Sequence, residues 1–394
     1  MNPERPALRV AIACGGTGGH LFPGLAVGHE LIARGSLVTL LISPKEVDQQ
    51  AVRGLANDFD IITLPAVGLS GRNYLQFLAA SFRSWRAARR AFQPQPPQAV
   101  LAMGGFTSAP PVFAGKNAGA VTFLHESNTI PGRANRWLAP WVDECFVGFA
   151  AATRRLRQKR ATVTGTPVRP QFSPMDVVGA RAALGFNAAK PLLLIVGGSQ
   201  GASGLNRLMV GALPQLSAAL PELQFFHLTG TQDYDEVKAA YEPLGRRARV
   251  QPFCSEMELP LGAATLTVSR SGASSLAELA AMQVPAILVP FPAATDNHQL
   301  HNANAIVETG GAVLLEQTSA SAQSLAGLVT ELCDNPGQLQ LMSAAMARNH
   351  RPNAAAEIAD RILAHVKDRG LASSTPAVSR PGHVMTTGKP EGAR

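Results

Sequence analysis

Arg9-Val10-Ala11-Ile12-Ala13-Cys14-Gly15-Gly16-Thr17-Gly18-Gly19-His20-Leu21-Phe22-Pro23 is the stretch that decides the fold. A short apolar run enters a glycine loop, and a helix expected over 23–34 leaves it, stopped by Gly35. Strand, glycine turn and helix in that order open a nucleotide-binding parallel sheet. Glycines there let backbone N–H groups approach a phosphate at a helix N-terminus, where the dipole favours negative charge. The loop is not a dinucleotide fingerprint: Leu21 holds the place of the third glycine, and Ile42-Ser43-Pro44 supplies no ribose-binding acid after the second strand. No GxxxxGK[ST] occurs. A tight turn without a ligand is the competing reading, and His20 weighs against it as a candidate general base.

The unit returns 182 residues later, where 192–196 runs into Gly197-Gly198-Ser199-Gln200-Gly201. Between the two, apolar runs at 37–42, 99–103, 120–124 and 144–147 alternate with helical stretches, which predicts parallel sheets covered on both faces. The chain therefore reads as two doubly wound domains, 1–165 and 166–353. Their linker lies near Gly165-Thr166-Pro167-Val168-Arg169-Pro170. A last helix is expected at 354–367, free to pack back on the first domain, and residues 370–394 read as a disordered tail.

Composition fits. Of 394 residues, 46% are hydrophobic and 16% charged, enough to bury two cores. Cys14, Cys145, Cys254 and Cys333 show no metal spacing and read as reduced, cytosolic thiols. Nothing resembles a signal peptide, and no apolar run approaches the ~18 residues of a membrane span. The net charge of +8 is uneven. Residues 1–165 hold 18 Lys and Arg against 9 Asp and Glu; residues 166–394 hold 17 against 18. Nucleic acid, an anionic membrane or a phosphorylated substrate would each explain a basic first half.

Four further segments carry chemistry. In Ser269-Arg270-Ser271-Gly272-Ala273-Ser274-Ser275-Leu276-Ala277-Glu278, Ser271 or Ser274 is expected to cap a helix facing a diphosphate. Glu278, one turn in, can accept both hydroxyls of a ribose. An ordinary capped helix is the plainer alternative. Asp296-Asn297-His298-Gln299 follows a strand, at the usual ligand edge. His125-Glu126-Ser127-Asn128 offers a base, an acid and an amide on that edge, or buried structural hydrogen bonds. From Arg72 to Arg90, Leu75, Leu78, Phe82 and Trp85 recur at helical spacing among Arg83, Arg86 and Arg89, and no acid occurs between Ile61 and His125. That stretch is either a core stripe with solvated arginines or a shallow face for an anionic membrane. Nucleic acid fits less well, because no aromatic binding motif or zinc spacing accompanies the charge.

Taken in order, Gly15 to Ala26, Met103-Gly104-Gly105-Phe106, His125 to Asn128, Gly165 to Arg169, Gly197 to Ala202 and Ser271 to Glu278 resemble the MurG family of glycosyltransferase family 28. These are bacterial UDP-N-acetylglucosamine (UDP-GlcNAc) transferases of peptidoglycan synthesis, which serves cell shape and division. The resemblance spans roughly 8–365. It implies an α/β fold of the GT-B kind, two Rossmann-like domains facing across a cleft. It implies UDP-GlcNAc as donor substrate, with no cofactor and no metal. Donor contacts would come from Arg169, Ser199, the backbone near Cys254, and Ala273, Ser274, Ser275, Leu276, Ala277 and Glu278. Asn128 and Gln299 would meet the sugar, His298 would join the donor-binding residues, and Thr17, Gly18 and Gly19 would line the cleft. The acceptor would be lipid I, a muramyl-pentapeptide on undecaprenyl diphosphate, met at the cytoplasmic membrane face by a peripheral protein. Ser127 stands where the family often has Gln, and Phe106 where Tyr is common.

The chemistry expected is one inverting displacement: a muramyl hydroxyl attacks the anomeric carbon as UDP leaves. His20 is the first candidate base and Glu126 the second. Other UDP-sugar enzymes of this fold, a glycolipid synthase or a UDP-GlcNAc epimerase, are the alternatives. An NAD oxidoreductase and a non-catalytic scaffold are disfavoured by the loop and by the histidines.

Overall fold

The computed structural model describes residues 7–16, 18–53, 55, 57–65, 74–158, 160–198 and 201–371. The expectations placed on Thr17, Ser199, Arg72 and the tail from residue 372 lie outside them.

Two all-parallel sheets are present. The first contains β1 (Arg9–Ala13), β2 (Leu37–Ile42), β3 (Asp60–Thr63), β4 (Ala99–Ala102), β5 (Val121–Glu126), β6 (Glu144–Val147) and β7 (Ala161–Val163) in the order β3-β2-β1-β4-β5-β6-β7. The second contains β8 (Leu192–Val196), β9 (Gln224–Leu228), β10 (Ala248–Gln251), β11 (Leu266–Ser269), β12 (Ala286–Leu288) and β13 (Ala312–Leu314) in the order β10-β9-β8-β11-β12-β13. Central strands are buried on both faces, as covered parallel sheets require: every residue of β5 and every residue of β11 is buried. In each sheet the strand order reverses beside the glycine-loop strand, between β1 and β4 and between β8 and β11. Ligands bind at such switch points, outside the carboxyl ends of the strands.

The strands that sequence reading passes over are informative. Edge strands β3, β7 and β10 are only half covered, so they do not read as apolar runs. β9 is fully buried yet carries Gln224 and His227, whose partners are supplied from elsewhere in the fold.

The first helix starts at Gly18, not near Pro23, and carries the proline inside it. The final helix, Ala354–Asp368, packs on that first helix. Ala355, Ile358, Ala359, Ile362 and Val366 enter the same core as Leu21, Leu25 and Leu31. A polar latch fixes it: buried Glu144 accepts from Arg361 Nε at 2.8 Å and Thr162 Oγ1 at 2.7 Å, with His365 Nε2 at 2.9 Å.

Candidate functional site

The carboxyl ends of both sheets face a cavity of about 740 Å³, within the range of small-molecule sites. Gly18, Gly19, His20 and Asn128 line it from the first domain. Arg169, Cys254, Ala273, Ser274, Ser275, Glu278, His298 and Gln299 line it from the linker and the second.

His20 sits in the first turn of the opening helix, half-buried. Its ring lies against the loop after β4. A Cβ placed on Gly104 would fall 3.2 Å from its Nε2, and one on Gly105 3.2 Å from its Cε1. Both glycines have positive φ, so this close approach needs glycine twice over. Burial pulls the imidazole pKa down to about 4, partly opposed by the charge of Asp48 and helped by Lys45. The ring is therefore neutral at pH 7 and can accept a proton.

Glu126 is placed differently from a catalytic base. It is buried at the end of β5, where Oε1 accepts from Asn128 N (2.8 Å) and Nδ2 (3.0 Å). Oε2 accepts from Gly132 N (2.9 Å) and Asn135 Nδ2 (2.8 Å). Four N–H donors occupy both oxygens, so the carboxylate folds the 127–132 turn, and the buried structural reading fits it. His125 is also internal: Nε2 lies 3.1 Å from Gly165 O and Nδ1 3.3 Å from Ser127 Oγ, and burial lowers its pKa to about 4. Only Ser127 and Asn128 of that segment reach the cavity.

On the opposite wall, the helix Ala273–Met282 begins after β11 with Gly272 as its N-cap and no side-chain cap. Neither expected serine caps it. Ser271 Oγ donates to Gln299 O (2.7 Å), and Ser274 Oγ donates across the cleft to Gly19 O (2.9 Å). The second bond has a cause in the sequence. Pro23 has no N–H, so Gly19 O loses the helical partner four residues on and is left to take another donor. The first N–H groups of the 273–282 helix are thus left for a ligand, and the helix dipole favours an anion.

Arg169 stands beside them. Its guanidinium lies 4.3 Å from the Phe22 ring centroid and 5.0 Å from that of Phe172, and its buried Nε has no hydrogen-bond partner. Arg169 also lines the cavity, so the cation held between the two rings can meet an anionic oxygen there. Glu278 faces the same space. Burial raises its carboxyl to about 7, with Arg169 opposing the rise and Glu258 adding to it. Gln299 Oε1 accepts from Phe291 N (2.9 Å), and His298 Nδ1 lies 2.8 Å from Thr295 O. Asp296 and Asn297, both non-glycine residues at positive φ, turn the chain into this edge.

Two expected contacts do not reach the cavity. Leu276 is buried in the second domain's core, and Ala277 lines a separate cavity behind the helix. Residues 273–278 form a helix, so only one face can meet a ligand. Conversely, Phe22, Phe253 and Met257 line the cavity unannounced, because apolar residues give no chemical signal in sequence. Among the described residues no group of three or more His, Cys, Asp or Glu is placed to hold a metal ion.

Outside the cavity, the helix Tyr74–Phe92 buries Ala80, Ser84 and Ala88 against the helix Ala109–Asn117. Leu78 and Phe82 are 61% and 56% exposed, so they are not core. Phe82 stacks on Trp85, with Arg86 and Arg89 over the two rings. Trp137 and Trp141, also exposed, pack on Phe113 of the neighbouring helix.

A two-sheet α/β frame with an anion-ready helix on one wall and a histidine on the other suits a nucleotide-sugar enzyme, and the chain belongs to glycosyltransferase family 28. The family's N-terminal domain model matches residues 10–147 and its C-terminal domain model residues 192–361. The chain is 34% identical over 377 residues to a UDP-N-acetylglucosamine–N-acetylmuramyl-(pentapeptide) pyrophosphoryl-undecaprenol N-acetylglucosamine transferase of Pelobacter propionicus, covering 90% of this chain and 99% of the relative. A Prochlorococcus marinus protein of the same name is 40% identical over 330 residues, covering 82% and 87%. Among solved structures, MurG of Acinetobacter baumannii superposes with a TM-score of 0.69 at 28% identity, covering 91% of this chain and all of that one. A putative UDP-N-acetylglucosamine 2-epimerase of Listeria monocytogenes reaches 0.68 at 15% identity, over 92% and 97%, a likeness of fold alone.

Proposed function

We infer that this enzyme transfers N-acetylglucosamine from UDP-GlcNAc to the muramyl sugar of an undecaprenyl-diphosphate-linked pentapeptide, making lipid II from lipid I. The observation that carries the reading is the cavity that both domains share. An uncapped helix N-terminus, Arg169 and Glu278 form one wall, and His20 stands on the other.

Each group has a task in that reaction. The free N–H groups of 273–275 and Arg169 take the donor diphosphate, and Glu278 accepts from the ribose hydroxyls. The loop around Cys254 meets the uracil. Asn128, Gln299 and His298 meet the sugar. The acceptor hydroxyl attacks the anomeric carbon; its proton passes to His20, the new C–O bond forms, and the bond to the diphosphate breaks with its electron pair leaving on UDP. Charge grows on that leaving group, where the helix dipole and guanidinium already point, so stabilisation needs no rearrangement and no metal. The anionic substrates also raise the low basicity of His20 as they enter. The exposed Leu78 and Phe82, with Phe82 stacked on half-buried Trp85 and arginines around them, support a peripheral seat on an anionic bilayer, where the acceptor's lipid is held. No described helix is long and apolar enough to cross a membrane.

The test is UDP release from UDP-GlcNAc with and without a lipid I analogue in detergent. Analogue-dependent release with a disaccharide product is expected. Conversion of UDP-GlcNAc alone, without transfer, would instead identify an epimerase.

A further inference from the structure

The helix His298–Val307 carries, one turn beyond Gln299, a side chain with no place in the chemistry above. Asn302 is fully buried, and all four of its hydrogen-bonding positions are filled. Oδ1 accepts from Thr129 N (2.9 Å) and Thr129 Oγ1 (2.9 Å) of the first domain. Nδ2 donates to Asn128 Oδ1 (3.0 Å), also of the first domain, and to Ser271 O (3.1 Å) of the second. Ser271 immediately precedes the N-cap of the diphosphate-facing helix, and its own hydroxyl is bonded to Gln299 O. Asn128 in turn is held by Glu126. One amide therefore touches the acceptor-side turn 128–129, the start of the 273–282 helix and, through Ser271, Gln299.

We propose that Asn302 is a positioning residue: it clasps the two domains across the cleft and sets Asn128 against the donor held by the second domain. This rests on the transfer reading above. Only an amide can fill the site. A carboxylate would face two carbonyl oxygens, Asn128 Oδ1 and Ser271 O, and an apolar side chain would strand four buried polar groups. The groups assigned to the nucleotide, the 273–275 N–H groups, Arg169, Glu278 and the loop around Cys254, make no hydrogen bond with the Asn302 side chain, which meets that wall only at Ser271 O. Its loss should therefore disturb transfer without loosening the nucleotide.

The experiment compares wild type, Asn302→Ala and Asn302→Asp by hydrogen–deuterium exchange, UDP affinity and transfer kinetics. In Asn302→Ala the Thr129 amide should exchange about tenfold or more faster, because its acceptor is gone. In Asn302→Asp, where Oδ1 remains, that amide should stay protected. Both variants should lose about tenfold or more in kcat, with the Kd for UDP within about twofold of wild type. Unchanged Thr129 exchange in Asn302→Ala, or wild-type kcat in either variant, would overturn the clasp. So would parallel loss of UDP affinity and melting temperature, the mark of a merely structural residue. If wild type transfers nothing while the amides behave as described, the transfer reading fails and the clasp stands.

Discussion

The two domains share a topology and answer the same need, attraction of negative charge, in opposite ways. The first holds the whole excess of cations, yet its arginines on the 74–92 helix lie outside the cavity. The second is close to neutral, yet it and the linker present the anion site: backbone N–H groups at 273–275 and one guanidinium between two rings. Focused attraction uses few groups, buried and oriented, and is weakly screened by salt. Diffuse attraction uses many solvated charges, each small and readily screened. The reading can be broken by showing that the cleft tolerates single changes or that the patch does not.

The largest effect belongs to His20. His20→Ala should lower kcat by about 10²- to 10⁴-fold, the usual worth of a positioned base, while UDP affinity, set in the other wall, stays unchanged. Steady-state kinetics beside a UDP titration checks this. Near-normal turnover would remove the base from the first domain and leave that wall as acceptor support. Arg169→Ala comes next. Losing a charge-assisted hydrogen bond of ~1.5–3 kcal/mol should weaken UDP-GlcNAc binding about 10- to 100-fold, and added salt should weaken the wild-type contact little. A strong salt dependence at this site would erase the contrast between the domains.

The fold was largely legible because its deciding signals are local. A strand, a glycine turn and a helix repeat after 182 residues, and the central strands are continuous apolar runs. What escaped has physical causes. β9 hides behind Gln224 and His227, polar residues whose bonds form only in the folded protein. Glu126 carries the residue type of a base, and only the four donors around it reveal a structural task. Ser271 and Ser274 occupy capping positions in sequence, but the orphan carbonyl made by Pro23, 251 residues before Ser274, lies too far along the chain for periodicity to connect them. Asn302 gives no signal at all, since a lone Asn in a helix is unremarkable until the other domain is present.

Glu278 sharpens the comparison through pH. Burial holds its carboxyl near 7 in the free enzyme, and ribose hydroxyls donate to the ionised form, so donor binding should tighten as pH rises through about 7. Between pH 6 and pH 8 the affinity for UDP-GlcNAc should rise about tenfold, the change in ionised fraction for a single group. Glu278→Gln should flatten the profile. UDP-GlcNAc rather than UDP is the right probe, since the terminal phosphate of UDP itself titrates in that range. A profile that loosens with rising pH would mean the carboxyl binds protonated, as a donor.

The smallest single effects belong to the patch. Each arginine beside an anionic leaflet contributes ~1 kcal/mol, about fivefold in partitioning, so Arg86→Gln or Arg89→Gln alone should reduce flotation with phosphatidylglycerol-containing vesicles only about that much. Replacing Arg83, Arg86, Arg89 and Arg90 together should abolish it, as should raising the salt, whereas neutral vesicles should bind little from the start. Phe82→Ser should cost binding that salt cannot mimic, because its exposed ring contributes by insertion rather than charge. With a water-soluble acceptor analogue all these variants should turn over as wild type does, since none of these side chains lines the cavity. If the fourfold variant instead lost activity toward the soluble analogue, the arginines would be reaching the acceptor itself, and the first domain's charge would be focused after all.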